Sequence, residues 1–568
     1  MIESSRSALL SLSVLALLAA FACQSDPAPR PPTASTSSAA SGAGANASAS
    51  SNAAAESGSE SAHGAFTPFL TSDRCALCHS TAATALALRS ATGDDVSPFE
   101  TWSATPMANA FRDPYWRAQM AHEVELAPQQ QAQVEAECLT CHAPMQHHTA
   151  RLSGAPAPTL AGALADPLAR DGVSCTVCHR TQPDGLGEPA SFNGALPILG
   201  EGVIFGPYKE PAIGPMRMHT GFTPTHGAHV QSSALCGSCH TLYTHTRGGA
   251  PFLEQGPYLE WRNSVYSDEQ GATSRSKSCQ ECHMPDVGSM KIARNPRGID
   301  MNIAVRPDVR AHTFVGGNVL LIEMLRDHAQ ELGVSASKSA LERVLSATRT
   351  QLAHSTARIA VRNGRRVDGV LEFELALENL AGHKFPSGYP ARRAWLRVNA
   401  RSGGTTIFES GSYDKRGRLT GVADELALPH YDVIERADQV QVYELVAADD
   451  QGRATTRLSA MERPLKDNRL LPRGWKADGP HAGETAPVGV NDDDFTGGAD
   501  TVTYRVPLPE NTGDVIVTAW LLYQPIPPHW VEPLRTSKTP EAAAFLRMYD
   551  AANTEPELAA LTIEVFEP

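Results

Sequence analysis

Ten of the eleven cysteines stand in five Cys-x-x-Cys pairs, and a histidine follows each pair immediately. Two thiols at this spacing can form thioether bonds with the two vinyl groups of one haem, and the adjacent imidazole can bind the haem iron. The pattern therefore predicts five c-type haems, each with its proximal histidine. The motifs are Cys75-Cys78-His79, Cys138-Cys141-His142, Cys175-Cys178-His179, Cys236-Cys239-His240 and Cys279-Cys282-His283.

Two other kinds of site also use paired cysteines. Disulfide frameworks are common in secreted proteins, and zinc ribbons are built from Cys-x-x-Cys pairs. Neither kind requires a histidine after every pair. The chain has 20 histidines in 568 residues, so chance would very rarely place one after all five pairs. The histidines therefore favour haem over disulfides and zinc.

The N-terminal segment predicts export from the cytoplasm. An apolar run at residues 8–22 follows Arg6, has the length of a signal-peptide core and is too short to span a membrane comfortably. Cleavage after Ala22 would make Cys23 the first mature residue, and Cys23 is the cysteine left over by the haem motifs. We therefore predict a signal peptide at 1–22 and lipidation of Cys23, with plain secretion as the alternative. Alanine at position 20 departs from the usual lipoprotein pattern, which has leucine there.

Residues 23–356 divide into three segments by their composition. Residues 23–65 are mostly Ser, Ala, Gly and Pro, and they are expected to form a disordered tether because they cannot bury enough apolar surface. Residues 66–318 hold all five motifs, so the porphyrins must supply much of the buried apolar surface there. Residues 319–356 have helical spacing with a break at Gly333 and are expected to form connecting helices.

From residue 357 onward the apolar positions alternate with a period of two. Residues 371–377 and 502–508 show this pattern, and 515–523 is a continuous apolar run. Strands separated by turn residues predict an antiparallel β-sandwich at 357–568. The expected fold class is therefore α+β multidomain, with a loop-rich, mainly α multihaem cytochrome domain followed by the sandwich.

Charge narrows the range of partners. The net charge of −14 argues against nucleic acid and anionic membrane surfaces, and it is compatible with a basic redox partner in the cell envelope. Membrane contact is expected only through the lipid anchor. The acidic run at 491–494 lacks the spacing of an EF-hand, so a solvated loop is favoured over calcium binding.

The haem motifs and two later segments of the chain resemble those of known proteins. The spacing of the motifs, the Cys-His-Met-Pro sequence at 282–285 and the segment 312–317 resemble the cytochrome c-552/c-554-like multihaem family. The segment 379–395 resembles the β-domain of bacterial multihaem proteins of that type. The resemblance implies electron transfer in the cell envelope, mostly bis-histidine haems, and sometimes one haem open to a ligand. Haem attachment in such families takes place outside the cytoplasm, in agreement with the predicted signal peptide.

Histidines outside the motifs are the candidates for the sixth ligand of each iron. Family relatives often use a histidine just after the last motif, which makes His312 the first candidate. His383 follows a predicted strand and can reach a haem across the domain junction, although a solvent-facing loop histidine is the alternative. Three histidines precede the fourth motif in a Gly/Pro-rich loop, where at least one ligand is expected, and a weaker candidate follows that motif. These four are His219, His226, His229 and His245.

Two functions remain open. The first is an electron carrier with five six-coordinate haems. The second is a haem-dependent oxidoreductase that acts on a small nitrogen or sulfur compound at one open haem. Pentahaem nitrite reductases resemble the chain in haem number, but their catalytic haem typically has lysine in place of the motif histidine, and all five motifs here end in histidine. We therefore expect an electron-transfer protein, exported as a lipoprotein to the periplasm or outer membrane.

Overall fold

The computed structural model describes residues 68–199, 202–245 and 251–568. The predicted signal peptide, Cys23 and the predicted tether lie outside these ranges. The described residues group into one compact unit, which is mainly helical before residue 357 and rich in strands from there on. None of the helices in the described ranges is both long and apolar enough to cross a membrane.

Short helices separated by long loops make up the region of the haem motifs. Several begin at a polar cap followed by proline, as at Asp113, whose carboxylate accepts hydrogen bonds from the backbone N–H groups of Tyr115 and Trp116. The helices are α1 Ser72–His79, α2 Pro98–Ser103, α3 Pro114–Leu126, α4 Gln131–His142, α5 Pro144–Ser153, α6 Leu160–Ala165, α7 Pro167–Arg170, α8 Cys175–Arg180, α9 Ile213–Thr220, α10 Ser233–Gly237, α11 Pro257–Arg262 and α12 Cys279–His283.

Two small two-stranded sheets lie among these helices. Strands β1 Val203–Gly206 and β2 Thr223–His226 pair in parallel, and β3 Leu242–His245 and β4 Pro251–Gln255 pair antiparallel. Together with the helices they form the walls of the candidate site described below.

Three helices connect this region to the strands. They are α13 Val319–Asp327, α14 Ala329–Leu332 and α15 Lys338–Ser355. Gly333 ends α14 in the left-handed conformation at φ +68°, which glycine adopts without steric cost. Ser337 caps α15 by accepting from the Ala340 N–H. The buried faces of α13 and α15 belong to the same apolar core as the strands that follow.

Two sheets facing each other form the strand-rich region. The strands of this region are β5 Ala357–Val367, β6 Val370–Asn379, β7 Arg393–Ser402, β8 Thr405–Ser410, β9 Val433–Ile434, β10 Val442–Tyr443, β11 Leu445–Ala448, β12 Ala454–Thr455, β13 Arg463–Asp467, β14 Ala499–Pro507, β15 Val515–Gln524 and β16 Glu557–Phe566. One of the two sheets has the order β10-β7-β15-β16 with β8 beside β7, and the other has the order β5-β6-β14-β9. Strands β11 to β13 form a third, small sheet.

The period-two pattern explains why these strands pack as a sandwich. Buried and half-buried residues alternate strictly along β6, and its inward side chains oppose those of β14 in register, as in the pair Phe373 and Tyr504. Val398 of β7 and Val517 of β15 complete the core from the other sheet. The predicted α+β class with an antiparallel sandwich is thus confirmed, with a single parallel pairing between β9 and β14.

Three helices within the strand-rich region were not predicted from the sequence. They are α16 Ala482–Thr485, α17 Pro528–Val531 and α18 Pro540–Ala551. Phe545 of α18 packs with Tyr115 of α3, so the last helix belongs to a core shared with the haem-motif region.

A buried ion pair holds one end of the sandwich. Arg393 is 1% exposed, and its Nη1 donates to Glu425 Oε2 at 2.5 Å. Gln524 Oε1 and the Gly417 carbonyl accept from the remaining guanidinium nitrogens. Burial alone would raise the pKa of the Glu425 carboxyl, but the His529 hydrogen bond and the Arg393 charge outweigh it and lower that pKa to about 2. Arg393 is therefore a structural residue.

Glu425→Gln is expected to lower the unfolding free energy at pH 7 by about 3–5 kcal/mol, because it leaves the Arg393 charge buried without its counterion. The ordinary pKa of glutamate is 4.5 and that of Glu425 in the folded chain is about 2. The stabilisation is therefore complete above about pH 5 and is lost as the pH falls toward 2. Denaturant unfolding at several pH values should show that the wild type loses stability over this pH range. The variant should show no such decline.

Glu409→Gln is the matched control. Glu409 pairs with Arg397 on the same sheet, but both side chains are about a third exposed. This substitution is expected to cost less than about 1 kcal/mol. Equal costs for the two variants would contradict the assignment of Arg393 and Glu425 as a buried structural pair.

Candidate haem sites

Short helices present the cysteines of the motifs. Helices α1, α4 and α8 each carry a complete Cys-x-x-Cys-His motif, and α12 consists of the fifth motif alone. Residues three apart lie on the same face of a helix, so both thiols of a pair point to one side. In the fourth motif α10 ends at Gly237, but the backbone N–H groups of Cys239 and His240 both donate to the Cys236 carbonyl and continue the turn.

One continuous cavity joins the five motifs. It has a volume of about 1300 Å³, and all ten motif cysteines and all five motif histidines line it. This volume exceeds the range of about 300–1,000 Å³ that is typical of a pocket for one small molecule. The rest of the wall is largely apolar, with aromatic side chains such as Phe99, Trp102 and Phe205. The cavity is therefore suited to several large, flat, apolar groups.

Backbone carbonyl groups orient four of the five motif histidines. Each of the four rings has Nδ1 within hydrogen-bond distance of a carbonyl oxygen from a distant segment, so Nδ1 carries the proton and Nε2 keeps its lone pair for a metal. The pairs are His79 with Ile292, His142 with Ala110, His179 with Phe205 and His283 with Val315. In the described ranges the ring of His240 makes no such bond.

Burial keeps these imidazoles neutral at physiological pH. Because burial disfavours the charged form, it lowers the pKa of His142 and of His240 to about 4. A neutral imidazole with a free Nε2 is the form that binds iron. Trp116 also lies parallel to His142, with ring centres 4.2 Å apart, which fixes the ring further.

The cysteines show which motifs are neighbours. The Cys75 thiol interacts with Cys175, Cys141 with Cys239, and Cys236 with Cys279. Cys178 also lies close enough to Cys236 and Cys239 to interact electrostatically. The first motif therefore adjoins the third, and the fourth adjoins the second, third and fifth.

His312 faces the histidine of the third motif. The ring centres of His179 and His312 are 6.4 Å apart, and their planes are inclined by 26°. Metal–imidazole bonds of about 2.0 Å, with about 1.2 Å more from each nitrogen to its ring centre, separate two opposite ligands by about 6.4 Å. The Nδ1 of His312 lies 3.1 Å from the Arg310 carbonyl, which leaves Nε2 free. At this spacing His179 and His312 would be able to hold one iron between them.

His383 faces the histidine of the fifth motif in the same way. The ring centres of His283 and His383 are 6.2 Å apart, with 16° between the planes. The Nδ1 of His383 lies 2.8 Å from the Lys384 carbonyl, so Nε2 is again free. The loop after β6 therefore places His383 beside the fifth motif, and its role as an iron ligand stays a prediction.

The remaining four candidates divide into two groups. His219 lines the cavity near the first motif, where Arg74 donates to its backbone carbonyl. His245 lines it near the second motif, with Nδ1 3.6 Å from Glu137 Oε1. His226 is exposed on β2, and the His229 Nε2 lies 2.9 Å from the Thr181 carbonyl; neither is part of the cavity wall. Their roles as ligands remain predictions.

A buried polar network fixes the loop that carries His383. Glu260 of α11 is 2% exposed and accepts from the Lys384 backbone N–H at 3.0 Å and from the Ser387 hydroxyl at 2.5 Å. The Lys384 ammonium lies 2.6 Å from Asp467, which also pairs with Arg469. Sequence reasoning missed Glu260, because it lies more than a hundred positions from its partners and no local motif marks it.

These residues fit the c-type haem that the motifs imply. The paired thiols would hold it covalently, the motif histidines would bind its iron, and the apolar wall would exclude water. When bound, such a group supplies one-electron redox chemistry, whose potential depends on the axial ligands and on burial. The chain contributes a neutral imidazole at each motif, which a backbone carbonyl group orients at four of the five, and at two motifs a second imidazole opposite the first.

Comparison with known proteins found a matching protein family and a similar solved structure. Residues 74–180, which contain the first three motifs, match the family described as cytochrome c554 and c-prime. No curated protein matches the chain. Among solved structures, a penta-heme cytochrome c552 from Thermochromatium tepidum is similar, with 16% identity and a TM-score of 0.49. The similarity covers 88% of this chain and 100% of that one.

The family match and the five attachment motifs confirm the resemblance noted in the sequence. The chain thus carries five c-type haem attachment motifs, its residues 74–180 match the cytochrome c554 and c-prime family, and its chemistry is haem-based electron transfer.

Proposed function

We propose that the chain carries five covalently bound haems and passes electrons between redox partners in the cell envelope. The observation that supports this most directly is the single cavity lined by all ten motif cysteines and all five motif histidines. Five separate pockets would isolate the haems from one another. One shared cavity brings them together, as electron transfer between them requires.

The adjacency of the motifs suggests a branched path. The first motif meets the third, the third meets the fourth, and the fourth also meets the second and the fifth. An electron entering at the first motif would reach the fourth through the third. From the fourth motif the electron could pass either to the second motif or to the fifth. The second and fifth motifs are therefore the candidate contact points for different partners.

Four of the irons are proposed to have two histidine ligands each. His179 with His312 would bind the third iron, and His283 with His383 the fifth. The ring separations of 6.4 and 6.2 Å match the geometry of opposite ligands on one metal. For the first and second irons we propose His219 and His245, which lie in the cavity wall beside those motifs.

The N-terminal sequence supports a location in the cell envelope. The predicted signal peptide would export the chain, and Cys23 with the tether at 23–65 would attach the folded part to a membrane. The net charge of −14 would favour a basic redox partner and disfavour nucleic acid.

A haem-dependent oxidoreductase is the second candidate function. Glu254 is 5% exposed, lines the cavity near Cys138, and has a pKa raised by burial. A buried carboxyl that can hold a proton beside a haem is what reduction of a nitrogen or sulfur compound would use. This candidate requires one iron with an open position.

Electron paramagnetic resonance of the fully oxidised protein, with spins counted against total iron, tests the carrier proposal. A carrier with five six-coordinate irons should be entirely low-spin. His312→Ala and His383→Ala should each convert about one iron in five to high-spin, because each removes one strong axial ligand. A high-spin fraction of about one in five in the wild type would favour the oxidoreductase instead.

His226→Ala is the matched control for these variants. His226 is exposed and lies outside the cavity wall, so its loss should leave the spectrum unchanged. Unchanged spectra for His312→Ala and His383→Ala would contradict the assignment of these histidines as ligands.

Replacing Cys23 tests the proposed lipid anchor. The wild type should remain with the membrane fraction after cell lysis, whereas Cys23→Ala should be soluble in the periplasm with the same haem content. Immunoblots and haem stain of the two fractions measure this. Equal distributions of the two proteins would show that Cys23 does not anchor the chain.

A further inference from the structure

Four aspartates meet at the edge of the sandwich, far along the chain from the haem motifs. Asp492 and Asp494 lie in the loop before β14, Asp500 lies at the start of β14, and Asp432 precedes β9. Single carboxylate oxygens of Asp432, Asp492 and Asp494 all lie within 4.8 Å of one another. Oxygens bound to one calcium ion at 2.3–2.6 Å are at most about 5 Å apart. The three carboxylates are therefore close enough to share one cation.

A buried carboxylate beside this cluster has one oxygen without a partner. Asp500 is 1% exposed, and its Oδ1 has no hydrogen-bond donor in the described ranges. The nearby Thr501 N–H donates to Asp494 Oδ1 at 3.0 Å. An oxygen of Asp500 lies within 4.8 Å of the ligand atoms of Asp492 and His430. A buried charge or polar atom left unpaired is costly, so this oxygen needs a partner that the protein does not supply.

His430 orients the central aspartate rather than binding a cation itself. Its Nδ1 accepts from the side-chain amides of Gln441 at 2.7 Å and Asn468 at 3.1 Å. Nε2 therefore carries the proton and donates to Asp492 Oδ2 at 3.0 Å. The Asp492 side chain is 3% exposed. The ligand atoms left for a cation are thus all carboxylate oxygens, a set that suits Ca²⁺ better than Zn²⁺ or Cu²⁺.

The basic side chains near the cluster are committed to other acids. The Lys466 ammonium lies 2.9 Å from Glu444 and also donates to the Leu428 carbonyl. Arg505 pairs with Glu372 and with Glu435, each at 3.0 Å. Both basic side chains thus already pair with carboxylates outside the cluster.

We propose that Asp432, Asp492 and Asp494 bind a calcium ion, whose charge would also stabilise the neighbouring buried carboxylate of Asp500. The ion would join the loop at 491–498 to the β9–β14 pair, which is the short parallel pair at the edge of its sheet. Its role would be to stabilise this edge of the sandwich, independently of the haems.

Isothermal titration of the calcium-free holoprotein with CaCl₂ tests the proposal. The wild type should bind one equivalent of Ca²⁺. Asp432→Asn and Asp494→Asn should weaken binding at least about tenfold, because each removes one charged ligand. Both residues are exposed, so these variants should fold. Added Ca²⁺ should raise the Tm of the wild type by at least about 2 °C and should raise that of the two variants less.

Asp493→Asn is the matched control. Asp493 is exposed in the same loop but is not one of the clustered carboxylates, so its loss should leave calcium binding within about twofold of the wild type. Absence of calcium binding in the wild type would overturn the proposal. So would an equal loss in Asp493→Asn and Asp494→Asn, or binding of Zn²⁺ with no binding of Ca²⁺.

Discussion

The haem-motif region has a cavity where other folded domains have an apolar core. Its buried apolar side chains form small separate clusters, such as the one around Phe69 and Val177, and these clusters surround the cavity. Apolar burial is the main driving force of folding, and scattered clusters bury little of it. The helices of this region therefore depend on whatever fills the cavity. Covalent attachment at the paired thiols would keep the group that fills the cavity from dissociating.

The strand-rich region, in contrast, has a continuous apolar core of its own. Its two sheets and helices α13 and α15 share one continuous core that requires no added group. From this core it extends the His383 loop toward the fifth motif, and the Glu260 network locks that loop to α11. A region with its own apolar core thus positions an imidazole in a region that lacks one. Packing of α18 against α3 holds the two regions together at a second place.

The sequence predicted what depends on local spacing. The five motifs, the alternation along β6 and the break at Gly333 could be recognised because each involves residues a few positions apart. His312 and His383 were expected from family resemblance and from a loop after a strand, and both now face motif histidines. Glu260, Asp432 and the helix α18 could not be recognised, because their importance arises from contacts between distant segments. The acidic run at 491–494 was interpreted as solvated for the same reason, since Asp432 and Asp500 join it only in the folded chain.

Intact-mass spectrometry of the purified protein under denaturing conditions tests the central claim most directly. If haems fill the shared cavity and are held by the motif cysteines, the mass of the Cys23→Ala variant, which carries no lipid, will equal that of the mature polypeptide plus five haems, with no free thiol among the ten. A mass corresponding to fewer haems, or to the unmodified polypeptide, would contradict the account, because part of the cavity would then lack the groups on which this region of the fold depends.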